Sequence, residues 1–223
     1  MKIFLDTASL KEIKEILPWG IVEGITTNQK IFEREAGCDF ETRVKQIVEL
    51  IDGPVSIEIT SNQIDKMIAE AERYSSWNPE KIVLKVPMMG DGTGLKVVSI
   101  LRSKGIKTNM TALMTTNQVI LASKAGATYA SIFYNRTKDA GNNPDEIIRN
   151  SVAIIEKSGL PTQIIVGSIR TPDDVWRAAV SGAHIVTIPY NIITQMPFHP
   201  KTEETIKEFD EAWRKFLRAS PPS

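Results

Sequence analysis

A single cysteine, Cys38, stands among 223 residues. No intrachain disulfide can therefore staple the chain. Its stability must come from apolar burial, which a chain of this length supplies without covalent or metal help. Imidazoles are almost as scarce, with His184 and His199 the only two, and no Cys, His and carboxylate cluster has metal-ligand spacing. That argues against a histidine-rich zinc site and against a Cys–His nucleophile, and no metal is expected. No apolar run approaches the roughly 20 residues of a membrane span. The opening MKIFLDTASLKEIKE becomes charged too soon for a secretory leader, so the chain is expected in the cytoplasm. An excess of either charge is missing too, with 27 Lys+Arg against 27 Asp+Glu. The balance gives no general electrostatic case for nucleic acid or an anionic membrane as partner. Also absent is a glycine-rich turn after the first apolar run, where LDTASL holds no glycine. The GDGTG at 90–94 is spaced GxGxG, with Leu95 where a third fingerprint glycine would fall and no acidic residue about 20 positions on. It reads as a flexible loop.

What is present is alternation. Eight apolar, β-branched runs, KIFLDTA, EGITTN, GPVSIEIT, KIVLKVPMMG, IKTNMTALM, YASIFYN, TQIIVGSIR and AHIVTIPY, are each followed by a helical pattern. In the first such pattern Leu10, Ile13, Ile16 and Leu17 share a face, and Pro18 and Gly20 stop it. Strict alternation without a linker-like gap argues for parallel strands with helical crossovers. Eight units predict an α/β chain forming one closed (β/α)8 TIM barrel over 1–223, with an extra C-terminal helix over 201–218. A doubly wound open sheet is the runner-up.

The fourth run contains an anomaly. Lys85 sits among Ile82, Val83, Leu84, Val86 and Pro87. A buried ammonium loses hydration, and desolvation favours its neutral form. The ordinary reading is an ion-paired or snorkelling lysine; the sharper one is an amine held neutral to attack a carbonyl. The other strand ends bear on the choice, because barrels of this kind place chemistry at the C-terminal ends of their strands. Those ends carry Asp6, Asn28, Glu58, Asn109 and Thr111, Ser131 with Arg136 beyond it, and Ser168 with Arg170. Each has a structural reading in isolation: Asp6 as a helix cap, Asn28 in a turn, Glu58 paired to a lysine, Arg170 in solvent. Together they put carboxylates, amides, hydroxyls, one lysine and two arginines on one rim. Such a set suits an amine that converts a ketone into an iminium, an electron sink beside which a C–C bond breaks or forms. Glu58 and Thr111, on strands flanking Lys85, would handle the expelled water. Asp6 would take the hydroxyl proton, and Arg136 and Arg170 would grip a distant phosphate. Asp173 and Asp174 occupy the positive end of the helix that Thr171 caps and Pro172 starts, so the arginines have to carry that binding.

At these residues the chain resembles the transaldolase family, in particular its short subfamily with fructose-6-phosphate aldolase-like proteins. FLDTA, GITTN, SIEIT, LKVPM, TNMTAL and GSIRTP follow the family's order over nearly the whole chain. The resemblance implies Lys85 as the Schiff-base lysine, Asp6 as the acid/base for C–C cleavage, and Glu58 with Thr111 at the catalytic water. It implies Asn28, Asn109 and Ser131 as contacts to substrate hydroxyls and the Schiff base, and Arg136, Ser168 and Arg170 as the phosphate site. The implied activity is transfer of a dihydroxyacetone unit from sedoheptulose 7-phosphate or fructose 6-phosphate to glyceraldehyde 3-phosphate or erythrose 4-phosphate. That is a step of the non-oxidative pentose phosphate pathway, and it needs no cofactor. Two departures stand out: Gln29 replaces the proline of the family's TTNP, and His184 replaces an aspartate at the start of the eighth strand. His184 reads as structural, near the barrel bottom.

The nearest rival is an aldolase releasing free dihydroxyacetone. Such relatives tend to carry glutamine at the Glu58 position and tyrosine at the Phe133 position, so both residues here favour the transferase. A non-catalytic phosphosugar-binding barrel and a pyridoxal-phosphate barrel are rivals from other classes. In the last helix Ile206, Phe209, Trp213 and Phe216 form one apolar stripe. It packs either on the chain's own barrel or, as the resemblance implies, on a neighbouring subunit of a homo-oligomer, a decamer of two pentamers.

Overall fold

The computed structural model describes residues 1–35 and 37–219. Eight parallel strands close into a barrel in sequence order: β1 (Lys2–Asp6), β2 (Gly24–Thr26), β3 (Val55–Glu58), β4 (Ile82–Pro87), β5 (Thr108–Leu113), β6 (Tyr129–Phe133), β7 (Gln163–Gly167) and β8 (Ile185–Pro189). Closure is made by β1 against β8, in register from Lys2–Ile185 to Asp6–Pro189. The outer ring comprises α1 (Leu10–Ile16), α3 (Phe40–Leu50), α4 (Ile64–Ser75), α5 (Thr93–Ser103), α6 (Thr116–Ala125), α8 (Pro144–Lys157) and α9 (Pro172–Val180). A long C-terminal helix, α11 (Pro200–Ala219), follows. The expected (β/α)8 barrel and its additional helix are both present.

Three further short helices were not foreseen: α2 (Gln29–Glu33), α7 (Tyr134–Asp139) and α10 (Tyr190–Ile193). Each begins within three residues of a strand's C-terminal end, over the barrel mouth, and each is too short for a 3.6-residue period to show in sequence. The GDGTG stretch also differs from the expected flexible loop. Asp91 accepts hydrogen bonds from the amide and the hydroxyl of Thr93, at 2.9 Å each, and fixes a tight turn into α5. Gly94 is required there because a Cβ would stand 2.2 Å from the Pro87 carbonyl oxygen.

Side-chain alternation divides the sheet into two faces. Outward residues such as Leu5, Ile25, Ile57, Leu84, Val86, Met110, Ile132, Val166 and Ile188 join one aliphatic core with the helices. Inward residues form a separate, smaller cluster of Phe4, Ile165 and Ile185, with Tyr129 packed against it. This plug fills the lumen near its N-terminal end. Gly24 makes room for it, since a Cβ would lie 2.6 Å from the Phe4 ring. Above the plug the lumen turns polar, with Thr26, Ser56, Lys85, Asn109, Ser131 and Thr187 all buried. The chemistry-bearing residues therefore share a floor of apolar side chains and open only toward the mouth. His184 lies at the opposite end, where its Nδ1 accepts the Ile164 amide at 3.1 Å.

Candidate active site

Lys85 lies at the centre of the polar layer. Strand register sets it beside Glu58 on β3 and Asn109 on β5. Its Nζ donates to the Thr27 carbonyl at 2.8 Å. The Glu58 carboxylate stands 3.5 Å away, an ion-pair neighbour rather than a direct hydrogen-bond acceptor. The ordinary and the sharper readings of Lys85 are thus both visible: a carboxylate is close, yet the amine faces the cavity. The Thr111 hydroxyl is buried without a hydrogen-bond partner among the described residues, and it lines the same space. Ala112, the next residue, takes a left-handed backbone (φ 62°) where β5 slips register against β6. Such strain in a non-glycine residue persists where surrounding structure holds it, and it clusters at functional sites.

The cavity above this layer has an inner lobe of about 150 Å³ and an outer lobe of about 440 Å³, which share Asp6, Asn28, Lys85, Thr111, Phe133 and Arg136. Asn109, Ser131 and Ser168 line the inner lobe, and Glu58 lines the outer one. Ten of the eleven residues singled out in the sequence are thereby brought together. Several are held by one another. Ser131 donates to Asn109 Oδ1 at 2.8 Å, and Asn109 Nδ2 reaches Ser56 at 3.3 Å, which fixes the orientation of the amide. Asn28 caps α2 by accepting the Ile31 amide at 3.0 Å. Gln29 takes the first helical position, which also suits proline, and its amide donates to the Ile59 carbonyl at 3.2 Å. The departure from TTNP therefore leaves Asn28 anchored.

Asp6 sits deep among protein atoms at the lumen edge. Burial raises its pKa above the ordinary carboxylate value; Lys85, the Thr26 hydroxyl and Arg34 act against this, and Glu58 reinforces it. Thr26 donates to Asp6 at 2.6 Å.

The eleventh residue, Arg170, does not line either lobe. Its guanidinium grips Asp139 in a two-bonded pair, at 3.0 and 2.5 Å, near the surface. Arg136 lies over the Phe133 ring, 5.1 Å from its centroid, and lines both lobes. The helix end after β7 also differs from expectation. Asp174 is buried, and its carboxylate accepts from the amides of Arg170 and Thr171 at 2.9 Å each and from Asn135 Nδ2 at 2.7 Å. Burial raises its pKa, but these hydrogen bonds outweigh that and hold it below the usual range. Asp174 thus fastens the loop carrying Ser168, which is itself left-handed (φ 59°), instead of opposing an anion there.

The lining residues that went unread in the sequence include Thr26, Thr187, Arg34 and Asn191. The two threonines carried a signal. Each lies two residues before a rim position, Asn28 or Pro189, and so on the same strand face. Arg34 and Asn191 follow from α2 and α10, which periodicity did not reveal.

A family model for Transaldolase/Fructose-6-phosphate aldolase matches residues 3–220. The chain belongs to the transaldolase/fructose-6-phosphate aldolase family. A probable transaldolase of Desulforudis audaxviator is 43% identical over 218 residues, covering 98% of this chain and 100% of that protein. One of Pelotomaculum thermopropionicum is 45% identical, covering 96% and 98%. Among solved structures, a mandelate oxidase variant aligns with a TM-score of 0.60 at 14% identity, over 85% of this chain and 65% of that one. Its likeness shows the barrel alone.

Proposed function

We propose that this protein is a transaldolase working through a Schiff base on Lys85. The amine, once unprotonated, attacks the ketone carbon of a ketose phosphate. Glu58 and the Thr111 hydroxyl handle the water that leaves. Asp6 takes the proton of the hydroxyl beside the scissile bond, the C–C bond breaks into the iminium, and an aldose phosphate departs. The enamine left on Lys85 attacks an acceptor aldehyde, Asp6 returns its proton to the new hydroxyl, and water releases the product. Asn28, Asn109 and Ser131 hold hydroxyls; Arg136 and Ser168, joined by Arg170 when it leaves Asp139, hold the phosphate. These steps use side chains alone. Following the resemblance, the donors are sedoheptulose 7-phosphate or fructose 6-phosphate and the acceptors glyceraldehyde 3-phosphate or erythrose 4-phosphate, in cytoplasmic pentose phosphate metabolism.

The observation that carries this reading is the buried Lys85 amine, 3.5 Å from Glu58, on a polar cavity also lined by Asp6 and by the Thr111 hydroxyl, which has no hydrogen-bond partner among the described residues. Phe133 supports transfer over release, because its ring offers the waiting enamine no hydroxyl to position a water or supply a proton. The test is borohydride trapping with fructose 6-phosphate. The parent should become covalently labelled on Lys85, and folded Lys85→Met should neither label nor turn over. Near-parental transfer by Lys85→Met would sink the assignment.

We further propose a homo-oligomer, a decamer of two pentamers, built through α11. Ile206, Phe209, Trp213 and Leu217 are each at least half exposed, and no described residue of that helix is buried by the chain's own barrel. An apolar stripe of this size favours cover by a second copy.

A further inference from the structure

Behind Asp6 stand two buried hydroxyls with no place in the steps above. The Thr26 hydroxyl lies 2.6 Å from Asp6 Oδ1, and the Thr187 hydroxyl lies 2.5 Å from that of Thr26. Thr26 is 2% exposed and Thr187 5%. The three side chains come from β2, β8 and β1, adjacent strands at the closure of the barrel.

A proton count fixes the direction of this chain. Each hydroxyl has one proton. An ionised Asp6 has none to give, so Thr26 donates to it, and Thr187 must then donate to Thr26. Among the described residues Thr187 makes no other hydrogen bond with its hydroxyl, so this arrangement gives its proton its protein acceptor. A protonated Asp6 would either accept from Thr26 more weakly, as a neutral group, or donate to it and turn both threonine protons around, sending that of Thr187 toward the cavity it lines. The chain is therefore strongest when Asp6 is a carboxylate.

We propose that Thr187 and Thr26 form a two-hydroxyl relay that aims Asp6 and keeps it ionised against its burial. Both are positioning residues: Thr26 acts on Asp6 directly, and Thr187 acts through Thr26. The charged groups facing Asp6 are Lys85 from β4, Glu58 from β3 and Arg34 beyond α2. Lys85 and Arg34 also favour the carboxylate and Glu58 opposes it, so the relay adds to a field already divided. Lys85 is uncharged as the attacking amine and as the carbinolamine, and a positive charge returns with the iminium before the carboxylate acts. The hydroxyls keep their support through the uncharged stages. This role rests on Asp6 serving as the base proposed above.

The test separates the two claims. Isotope-edited infrared titration of protein labelled with ¹³C-carboxyl aspartate, with Asp6 assigned by the band lost in Asp6→Asn, reads its ionisation without any substrate. Thr26→Val should move that midpoint up by about one pH unit, the scale of one lost hydrogen bond to a charge. Thr187→Val should move it in the same direction by less, and Thr26→Ser should restore it. The acidic limb of kcat should move with it, while borohydride trapping, which needs Lys85 but not cleavage, stays at the parental extent. Unmoved midpoints with activity lowered equally at every pH would overturn the relay. Moved midpoints with an unmoved kcat limb would keep the relay but remove Asp6 from the base role. Should Thr26→Val fail to fold, Thr187→Val decides alone, and an unmoved midpoint there overturns the proposal.

Discussion

The two arginines at the mouth should differ in their value to the substrate, and the structure says which way. Arg136 has no carboxylate partner among the described residues and lines both lobes of the cavity. Arg170 is already held by both oxygens of Asp139. A phosphate arriving at Arg136 gains a charge-assisted contact of about 1.5–3 kcal/mol, so Arg136→Ala should raise the KM for ketose phosphates by about one to two decades. A phosphate arriving at Arg170 has first to displace Asp139. The net gain is smaller, and Arg170→Ala should therefore cost less than Arg136→Ala. The distinguishing variant is Asp139→Asn. It removes the competing charge, leaves Arg170 free, and should lower KM a few-fold, an effect that salt would weaken because both groups are near the surface. Steady-state kinetics with fructose 6-phosphate and with fructose measure all three, and the unphosphorylated sugar should barely respond. Equal losses on both sugars would refute a phosphate role. A KM raised by Asp139→Asn would show that the ion pair itself builds the site.

Three other perturbations probe separate parts of the molecule. Phe133→Tyr places a hydroxyl beside the enamine and should increase free dihydroxyacetone relative to transferred product, with trapping on Lys85 intact; a parent that already releases dihydroxyacetone as fast as it transfers it would contradict the choice of reaction. Deleting the chain from Lys201 onward should yield smaller species in sedimentation velocity, and a monomeric full-length protein would end the oligomer proposal. The third concerns acid stability. Burial lowers the pKa of His184 below its ordinary 6.5, with the N-terminal amine assisting and Glu156 opposing, and its neutral ring accepts the Ile164 amide. The unfolded chain takes up this proton more readily, so the contribution of His184 is full above 6.5 and is lost as pH falls through that value. His184→Asn keeps an acceptor that does not titrate. Its Tm should decline less than the parent's between about pH 7.5 and about 5.5, and parallel declines would exclude the effect.

The barrel was legible because its signal repeats. Eight apolar runs alternate with helical patterns, and each run is long enough for its period to register. The rim was legible because a polar residue inside an apolar strand, such as Lys85 or Ser131, violates the pattern that burial imposes. Pairings across sequence were not legible. Nothing near Arg170 announces Asp139, which lies 31 residues earlier on α7, and nothing in TPDD shows that Asp174 turns inward to hold Asn135. Thr26 and Thr187 fell between these cases. Their strand positions pointed inward, but a threonine is common enough in strands that its contact with Asp6 emerges only from the closure of β1 between β2 and β8.

That closure also explains how the molecule accommodates so many polar groups in its interior. Folding is driven by the outward faces of the strands, where Leu5, Ile57, Leu84, Val86, Ile132 and Val166 are fully buried against the helices. Each such side chain contributes roughly 1.5–3 kcal/mol by burial. The lumen contributes little beyond its plug of Phe4, Ile165, Ile185 and Tyr129, and it bears the costs: a Thr111 hydroxyl without a partner among the described residues, a buried lysine, and left-handed backbone at Ala112 and Ser168. Stability and chemistry thus occupy opposite faces of the same strands. A change on the inner face should alter the proposed reaction while leaving the driving burial in place. In the reaction proposed above, transfer and release would share the enamine on Lys85 and differ only in what meets it next. One inward ring at the end of β6, Phe133, would then suffice to bias its fate, without touching the outward faces that hold the barrel together.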